Sequence, residues 1–160
     1  MGSLTREDLA YIAGFLDADG SILTQIVKGS AYKYKHRIRI SLVFYQKKRY
    51  HWFLIWLKGK LKMGNIRIKK DGMAELVILG NEPLRRFLVL LEPFLKIKKP
   101  LCRLVLSIIE DISKIDSEAS FIEVCRLVDK TAEYTYSKKR TITSLTVQES
   151  IKLPVETEEK

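Results

Sequence analysis

The chain is poor in the residues and segments that mark several protein classes. Only two histidines and two cysteines occur among 160 residues, too few for a histidine-based metal site. Cys102 and Cys125 lie in apolar helical patterns, which favours reduced core thiols and an intracellular protein. No apolar run approaches the roughly 20 residues that span a bilayer, and no secretion signal is recognisable. We expect an intracellular protein, in the cytoplasm or an organelle, without a membrane partner.

Acidic residues are the minority among the charged ones. The chain has 29 lysines and arginines against 19 aspartates and glutamates, a net charge of +10. Residues 141–160 contain two lysines and four glutamates, a net charge of −2, so residues 1–140 carry +12. An excess of this size favours a polyanionic partner.

Hydrophobic periodicity predicts an α+β fold in the order helix, two strands, helix, two strands, then further helices. Helices are expected over 6–16, 50–61, 81–91, 100–112 and 144–151, and strands over 19–27, 36–46, 65–70 and 73–79. A capping box is predicted at 120–123, in a helical stretch that reaches about residue 134. We expect Trp52, Trp56, Phe87 and Phe121 in the core. The strands predict a four-stranded antiparallel sheet with helices on one face, in a single domain over 1–153 with a charged tail over 154–160.

The predicted strands also have a polar face. If Ile38, Ile40 and Leu42 point inward, their neighbours in sequence point outward together. A sheet face exposed to solvent is one explanation of such alternation. Few acidic residues on this face balance its arginines and lysines, however, which favours a negatively charged partner. Arginine reads guanine and glutamine reads adenine in a groove that admits a β-ribbon, so a DNA-reading sheet is favoured. The expected DNA contacts, including three basic residues near the C-terminus that would bind phosphates, are Leu23, Gln25, Tyr32, Lys33, Arg37, Arg39, Ser41, Val43, Tyr45, Arg67, Lys69, Glu75, Val77, Lys138, Lys139 and Arg140.

The segment Ile12–Gly20 is the most informative part of the chain. An apolar helical stretch with small residues runs into two aspartates and a glycine. Small residues let two helices approach closely, and carboxylates at a helix end can hold a divalent cation. The alternative interpretation is that Asp19 is an ordinary aspartate at the end of a helix and binds no metal. The segment occurs only once.

This segment resembles the motif of the LAGLIDADG homing endonucleases, with an apolar residue at each mismatch. The chain is similar to the single-motif branch that group I introns encode and that acts as a homodimer. The resemblance extends over nearly the whole chain, through Tyr32–His36, Gln46-Lys47, Trp52–Leu54, Glu92–Lys98 and Phe121–Asp129. It implies the homing endonuclease fold, with a saddle-shaped sheet.

The resemblance assigns roles to individual residues. It implies that Asp19 and the Ala18 carbonyl bind the metal, and that Gln46 and Lys98 act with Asp19 in catalysis. It gives Asp17 a structural role. A basic residue often stands in the family near the present Tyr50, and Arg49 or His51 is a candidate to replace it. The implied dimer interface consists of Ile12, Ala13, Gly14, Leu16 and Asp17.

The implied function is that of a Mg²⁺-dependent endonuclease without a small-molecule cofactor, with Ca²⁺ or Mn²⁺ as substitutes in binding or in crystals. Two identical chains would cut both strands of double-stranded DNA at a long pseudo-palindromic site, leave short 3′ overhangs and promote intron homing. Two alternatives stay open on the same fold. One is an RNA-splicing maturase, and the other is a DNA-binding regulator that has lost cleavage.

Overall fold

The computed structural model describes residues 2–136 and 140–152, which form a four-stranded antiparallel sheet and six α-helices within those ranges. The strand order in the sheet is β1-β2-β4-β3. The predicted α+β class and its αββαββ order are confirmed. The elements are α1 (Arg6–Asp19), β1 (Gly20–Lys28), β2 (His36–Lys47), α2 (His51–Leu61), β3 (Asn65–Ile68), β4 (Met73–Leu79), α3 (Asn81–Leu91), α4 (Lys99–Ile112), α5 (Glu118–Lys130) and α6 (Ser144–Lys152).

The chain divides into two compact units. The first unit contains residues 1–23 and 40–109, and the second contains residues 24–39 and 110–160. The single domain expected over 1–153 stays a prediction, and the expected tail at 154–160 lies outside the described residues. None of the helices in the described ranges is both long and apolar enough to cross a membrane.

In the first unit, α1 begins at a capping box and ends later than predicted. Thr5 accepts from the Asp8 N–H, and the Asp8 carboxylate accepts from the Thr5 N–H. The helix continues to Asp19 because the Gly20 N–H donates to the Leu16 carbonyl. A Cβ at Gly20 would lie 2.9 Å from the backbone Cα of Leu16, which cannot move aside as a side chain can, so glycine is favoured at this close passage. The two aspartates therefore lie in the last helical turn and not beyond it.

In the first unit, α2 packs against the strands β3 and β4. Because residues 52–57 are all apolar, α2 cannot bury every one of them. It buries Phe53, Leu54 and Leu57 and leaves Trp52 62% and Trp56 37% exposed. The expectation that both tryptophans are core residues is therefore wrong, whereas Phe87 and Phe121 are buried as predicted.

The second unit is built around α5. Its capping box pairs Ser117 with Ser120, so the box predicted at 120–123 is wrong by one turn. The helix packs against α6 and against a 3₁₀ turn at Thr131–Tyr134. Asp129 Oδ2 accepts from the Ser144 N–H at 3.0 Å and so satisfies a backbone donor at the start of α6.

Candidate functional site

The Asp17 carboxylate fastens a distant loop to the end of α1. Its Oδ2 accepts from the backbone N–H groups of Lys96 at 2.8 Å and Ile97 at 3.2 Å, and its Oδ1 accepts from that of Lys98 at 2.9 Å. Hydrogen bonds from backbone N–H groups to a carboxylate are short and strong. Asp17 thus acts as a structural residue that fixes the position of Lys98.

Lys98 brings a positive charge to the same helix end. Its Nζ donates to the Asp17 carbonyl oxygen at 2.6 Å. Burial lowers the pKa of the Lys98 ammonium, while the charges of Asp17 and Asp19 act in the opposite direction. A cation at a helix C-terminus is stabilised by the unpaired carbonyls of the last turn.

Asp19 is the last residue of α1, and its carboxylate is exposed. Within residues 2–136 and 140–152, no hydrogen bond or ion pair is made to that carboxylate. The Ala18 carbonyl belongs to the same last turn, where helix carbonyls have no intrahelical partner. Carboxylate and carbonyl oxygens are the ligands that Mg²⁺ prefers. These two groups fit a divalent cation, but they form an incomplete ligand set.

No other described residue completes a metal site of side chains around Asp19. In the parts that the structure describes, no three His, Cys, Asp or Glu side chains come together where they could hold a metal ion. Any Mg²⁺ at Asp19 would therefore need further oxygen ligands, which waters, a substrate or a second molecule could supply.

Gln46 lies near the end of β2, opposite Ala74 of β4. Its side chain is half-buried, and its Oε1 accepts from the Lys47 N–H at 2.9 Å, so the amide N–H groups are its outward-facing donors. At the neighbouring Tyr50, the Arg49 guanidinium carbon lies 4.8 Å from the centre of the ring. The structure brings Asp17, Asp19 and Lys98 together, whereas the catalytic role of Gln46 and the compensating role of Arg49 stay predictions.

The predicted outward face of the sheet is largely present. In β1, Ile22, Thr24 and Ile26 are buried, and the residues between them are not, as predicted. In the first unit a row crosses three strands, with Tyr45 and Arg67 each paired to Glu75, and Arg67 Nη1 lies 4.0 Å from Glu75 Oε1. Half-buried or exposed outward positions of this unit are Leu23, Tyr45, Arg67, Lys69, Glu75 and Val77.

Two predicted base contacts are not available on this face. Ser41 is 6% exposed and Val43 is 4% exposed, so both predictions are wrong for side chains in these positions. The reason is that β2 is an inner strand with a neighbour on each side, where adjacent side chains cover short ones.

The second unit presents two arginines that already have partners. Arg39 donates from Nε at 3.2 Å and from Nη2 at 2.7 Å to the single acceptor Gln25 Oε1. The Arg37 guanidinium carbon lies 4.9 Å from the centre of the Tyr32 ring. Lys33 is exposed. The predicted DNA contacts between Gln25 and Arg39 are therefore all at least partly accessible.

Arg140 has a structural role that the sequence did not predict. Its Nη1 donates to the Val128 carbonyl at 2.7 Å and its Nη2 to Thr131 Oγ1 at 2.8 Å, at the C-terminal end of α5. Burial lowers the pKa of Arg140, and Asp129 opposes that shift. Two of its five N–H donors therefore cap a helix, and the phosphate contact predicted for Arg140 stays a prediction that would have to use the remaining donors. Lys138 and Lys139 lie outside the described residues.

The predicted dimer interface also changes. Ile12, Ala13 and Leu16 are almost completely buried within the chain itself, so a second chain cannot contact them and these three predictions are wrong. Asp17 is occupied by the loop at 96–98. Only Gly14 of the predicted set stays on the open side of α1.

The open side of α1 is a continuous face. Its members are Glu7, Tyr11, Gly14 and Ala18, at intervals of four, three and four residues. Such intervals place residues on one side of a helix. A Cβ at Gly14 would meet nothing within 4 Å, so the space above it is empty in the single chain. We call these four residues the open face of α1.

An exposed aromatic cluster, which the sequence reasoning missed, borders the open face. Tyr11 meets Phe53 and Trp56 edge to face, with ring centres 6.0 and 6.2 Å apart. Together with Trp52, Glu7 and Asp8 they line a depression of about 420 Å³. The unbroken apolar run at 52–57 was the available signal, because a helix that is apolar all round exposes part of that surface.

Comparison with known proteins connects this geometry to a family. A family model described as LAGLIDADG endonuclease matches residues 12–102. The chain is 40% identical over 144 residues to the DNA endonuclease I-CreI of Chlamydomonas reinhardtii, covering 89% of this chain and 88% of the relative. It is 36% identical over 143 residues to the DNA endonuclease I-CvuI of Chlorella vulgaris, covering 89% of each. A crystal structure of I-CvuI with the I-CreI target superimposes with a TM-score of 0.88 at 35% identity, covering 92% of this chain and 94% of that one. The chain belongs to the LAGLIDADG endonuclease family.

Proposed function

We propose that the chain is a site-specific homing endonuclease that hydrolyses both strands of double-stranded DNA. The observation that carries the proposal is the exposed carboxylate of Asp19 at the end of α1, with the Lys98 ammonium fixed at the same helix end by Asp17. The relatives named DNA endonucleases support it, as does the solved structure of I-CvuI in complex with the I-CreI target. The excess positive charge of the chain suits a polyanionic substrate.

A divalent cation, Mg²⁺ in the active enzyme, would be held by the Asp19 carboxylate and the Ala18 carbonyl. When bound, such an ion activates water and neutralises charge on the leaving oxygen. Metal use is supported by crystal structures of I-CvuI with DNA in the presence of 2 mM Mg and of 2 mM Ca. We expect Mn²⁺ to replace Mg²⁺ in cleavage, and Ca²⁺ to support binding.

Two side chains of this chain would act on the phosphate and the water. Lys98 Nζ has three donors, and the Asp17 carbonyl takes one, which leaves N–H groups for a phosphate oxygen that gains negative charge. The Gln46 amide, with its Oε1 occupied by the Lys47 N–H, would donate to the oxygen of the attacking water and hold it in line.

The functional unit is a homodimer. One chain supplies one Asp19, so two chains are needed to cut two strands, and a twofold axis selects a long pseudo-palindromic site. The small residues Gly14 and Ala18 let two copies of α1 approach closely. The aromatic cluster around Trp52 and Trp56 continues this surface toward the second copy. The two cuts leave short 3′ overhangs, and the break promotes homing of the intron into intronless DNA.

A cleavage assay tests the activity. The substrate is a plasmid that carries the intronless target, in which the DNA sequences on either side of the intron are joined. It is incubated with the protein in Mg²⁺, Ca²⁺ or EDTA. We expect linear product in Mg²⁺ alone. Binding to intron RNA without DNA cutting would instead indicate a maturase, and DNA binding without cutting in Mg²⁺ or Mn²⁺ would indicate a regulator.

A substitution at Gly14 tests the homodimer. Gly14→Leu fills the empty space above α1, so we expect the monomer to fold normally and the dimer dissociation constant to rise at least about tenfold, through overpacking at the interface. Ala119→Leu, at an exposed position in the first turn of α5, is the matched control. Analytical ultracentrifugation gives the oligomeric state. A monomeric wild type, or a Gly14→Leu variant that dimerises normally, would contradict this assembly.

A further inference from the structure

Gln25 and Arg39 face each other across two neighbouring strands of the second unit. The loop between β1 and β2 is closed by a hydrogen bond from the Gly29 N–H to the Lys35 carbonyl at 2.9 Å. Gln25 and Arg39 are each four residues from that bond, which places them opposite each other in an antiparallel pair. Both side chains are exposed, and the two hydrogen bonds from Arg39 to Gln25 Oε1 join them.

The strand beneath Gln25 is anchored from the other side. Thr24 is buried, and its Oγ1 lies 2.6 Å from Thr131 Oγ1. Thr131 donates to the Val128 carbonyl and accepts from Arg140, so its oxygen completes a buried network at the end of α5. Because side chains alternate along a strand, this anchor fixes Gln25 on the outward face.

The pairing changes what these two side chains can recognise. A glutamine amide has one acceptor oxygen and two N–H donors, and arginine has donors alone. With Gln25 Oε1 occupied by Arg39, the pair offers only donors to a ligand. The Nε side of the guanidinium faces Gln25, so its outer edge, formed by Nη1 and the second Nη2 hydrogen, is the edge that can face DNA.

This donor pattern fits one base better than the others. Adenine in the major groove presents the N7 acceptor and the N6 donor, so reading it in a bidentate way needs an acceptor that the pair lacks. Guanine presents two acceptors, O6 and N7, which match the outer edge of a guanidinium.

We propose that Gln25 and Arg39 act as one base-reading unit selective for guanine, in which Gln25 orients Arg39 and does not read adenine independently. The inference rests on the proposed function, since it concerns how the same protein selects its DNA. Arg39 is the specificity-determining residue, and Gln25 is its positioning residue.

The test is selection of bound duplexes from a pool of DNA with randomised central sequence, in Ca²⁺, followed by sequencing. We expect the wild type to enrich guanine at one position in each half-site. Arg39→Ala should lower that guanine preference at least about tenfold, and it should raise adenine at the same position, because Gln25 regains its acceptor. Gln25→Ala should weaken the guanine preference several-fold, about three- to tenfold.

Two further variants separate orientation from general damage. Gln25→Glu keeps an acceptor for Arg39 and loses the amide donors, so the guanine preference should persist. Arg126→Ala is the control, because Arg126 is an exposed arginine of the same unit that pairs with Glu123 on α5 and is not among the expected DNA contacts. It should leave the preference at the guanine position unchanged. Thermal melting of each variant checks that it is folded.

The outcomes distinguish this inference from the proposed function. The proposed coupling of Gln25 and Arg39 is wrong if Arg39→Ala leaves the share of adenine unchanged. It is also wrong if Gln25→Ala and Arg39→Ala alter the base preference at different positions. In both cases the proposed endonuclease activity is unaffected. If the wild type enriches no sequence from the pool, both are wrong.

Discussion

The two helices that each precede a strand pair end in opposite ways. Helix α2 has Lys58 and Lys60 in its last turn and closes with Lys62 in the left-handed conformation at φ 56°. Helix α1 has no basic residue in its last turn and carries Asp17 and Asp19 there. The C-terminus of a helix bears partial negative charge, so lysines stabilise it and aspartates destabilise it. The end of α2 therefore follows the rule for stability, and the end of α1 breaks it.

The difference shows what the end of α1 is built for. Its neutralising cation, Lys98, comes from a loop about eighty residues away and is held there by Asp17. That arrangement leaves the charge of Asp19 exposed at a position where stability alone would not place it. Violations of local rules concentrate at functional sites, and this one points to a ligand of positive charge.

The largest expected effect comes from Asp19→Asn. Removal of the metal-binding carboxylate should lower the rate of DNA cleavage at least about a thousandfold, which corresponds to several kcal/mol of lost stabilisation. DNA binding should be retained. The free energy of unfolding should change by less than about 1 kcal/mol, because removing an acid from a helix C-terminus is favourable but also removes the attraction between Asp19 and Lys98. Plasmid cleavage, gel-shift binding and urea unfolding measure the three quantities.

Asp111→Asn is the matched control, since Asp111 also lies in the last turn of a helix. We expect it to leave cleavage unchanged and to alter stability by a comparable small amount. An Asp19→Asn protein that still cuts at the wild-type rate would remove Asp19 from the active site and return it to an ordinary helix-end residue.

The next effect distinguishes the two aspartates. Asp17→Ala removes the acceptor of three backbone N–H groups at 96–98. We expect the free energy of unfolding to fall by about 2–4 kcal/mol, since hydrogen bonds to charged groups are worth more than neutral ones. Urea unfolding measures the loss. Wild-type stability together with lost cleavage would assign Asp17 to catalysis and contradict its structural role.

Lys98→Met tests the cation that α1 receives from the loop. Loss of the ammonium should lower the cleavage rate about a hundredfold while affinity for DNA changes little. Lys99→Met is the matched control, because Lys99 also donates to a backbone carbonyl, that of Pro93 at 3.3 Å. If both variants lose the same fraction of the cleavage rate, Lys98 contributes only positive charge near the DNA and has no specific role in the active site.

The same variant has a pH signature. Burial lowers the pKa of Lys98 below its ordinary value of 10.5 in the folded state. Between the lowered value and 10.5 the unfolded chain binds more protons, so the contribution of Lys98 to stability rises with pH in that window. The wild type should therefore gain stability relative to Lys98→Met as the pH approaches 10.5, as urea unfolding at several pH values would reveal.

Local patterns in the sequence sufficed for the fold, because strand alternation and helix caps act within a few residues. The Thr5 cap and the alternation in β4 are examples. The site was only partly predictable. Asp17, Asp19 and Lys98 could be assigned through the family resemblance, but the hydrogen bonds that join positions 17 and 98 depend on the tertiary fold.

The errors have a common physical cause. Ser41 and Val43 have outward parity in β2, yet both are buried, because periodicity carries no information about how far neighbouring side chains cover a position. Arg140 lies in a basic run, and a local pattern did not indicate that two of its five donors satisfy carbonyl and hydroxyl oxygens at the end of α5. The pairing of Gln25 with Arg39 likewise depends on strand register, which a composition of polar residues does not specify.

The smallest effect tests the other half of the comparison, at the end of α2. Lys58 is exposed in the last turn, so Lys58→Gln should lower the free energy of unfolding by a few tenths of a kcal/mol, and Lys58→Glu by about 0.5–1 kcal/mol. Cleavage should be unchanged in both. High salt should reduce the differences, because exposed charges are screened. If Lys58→Glu unfolds like the wild type at low salt, helix-end charge is not significant here, and the acids of α1 would no longer indicate a stability sacrificed for function.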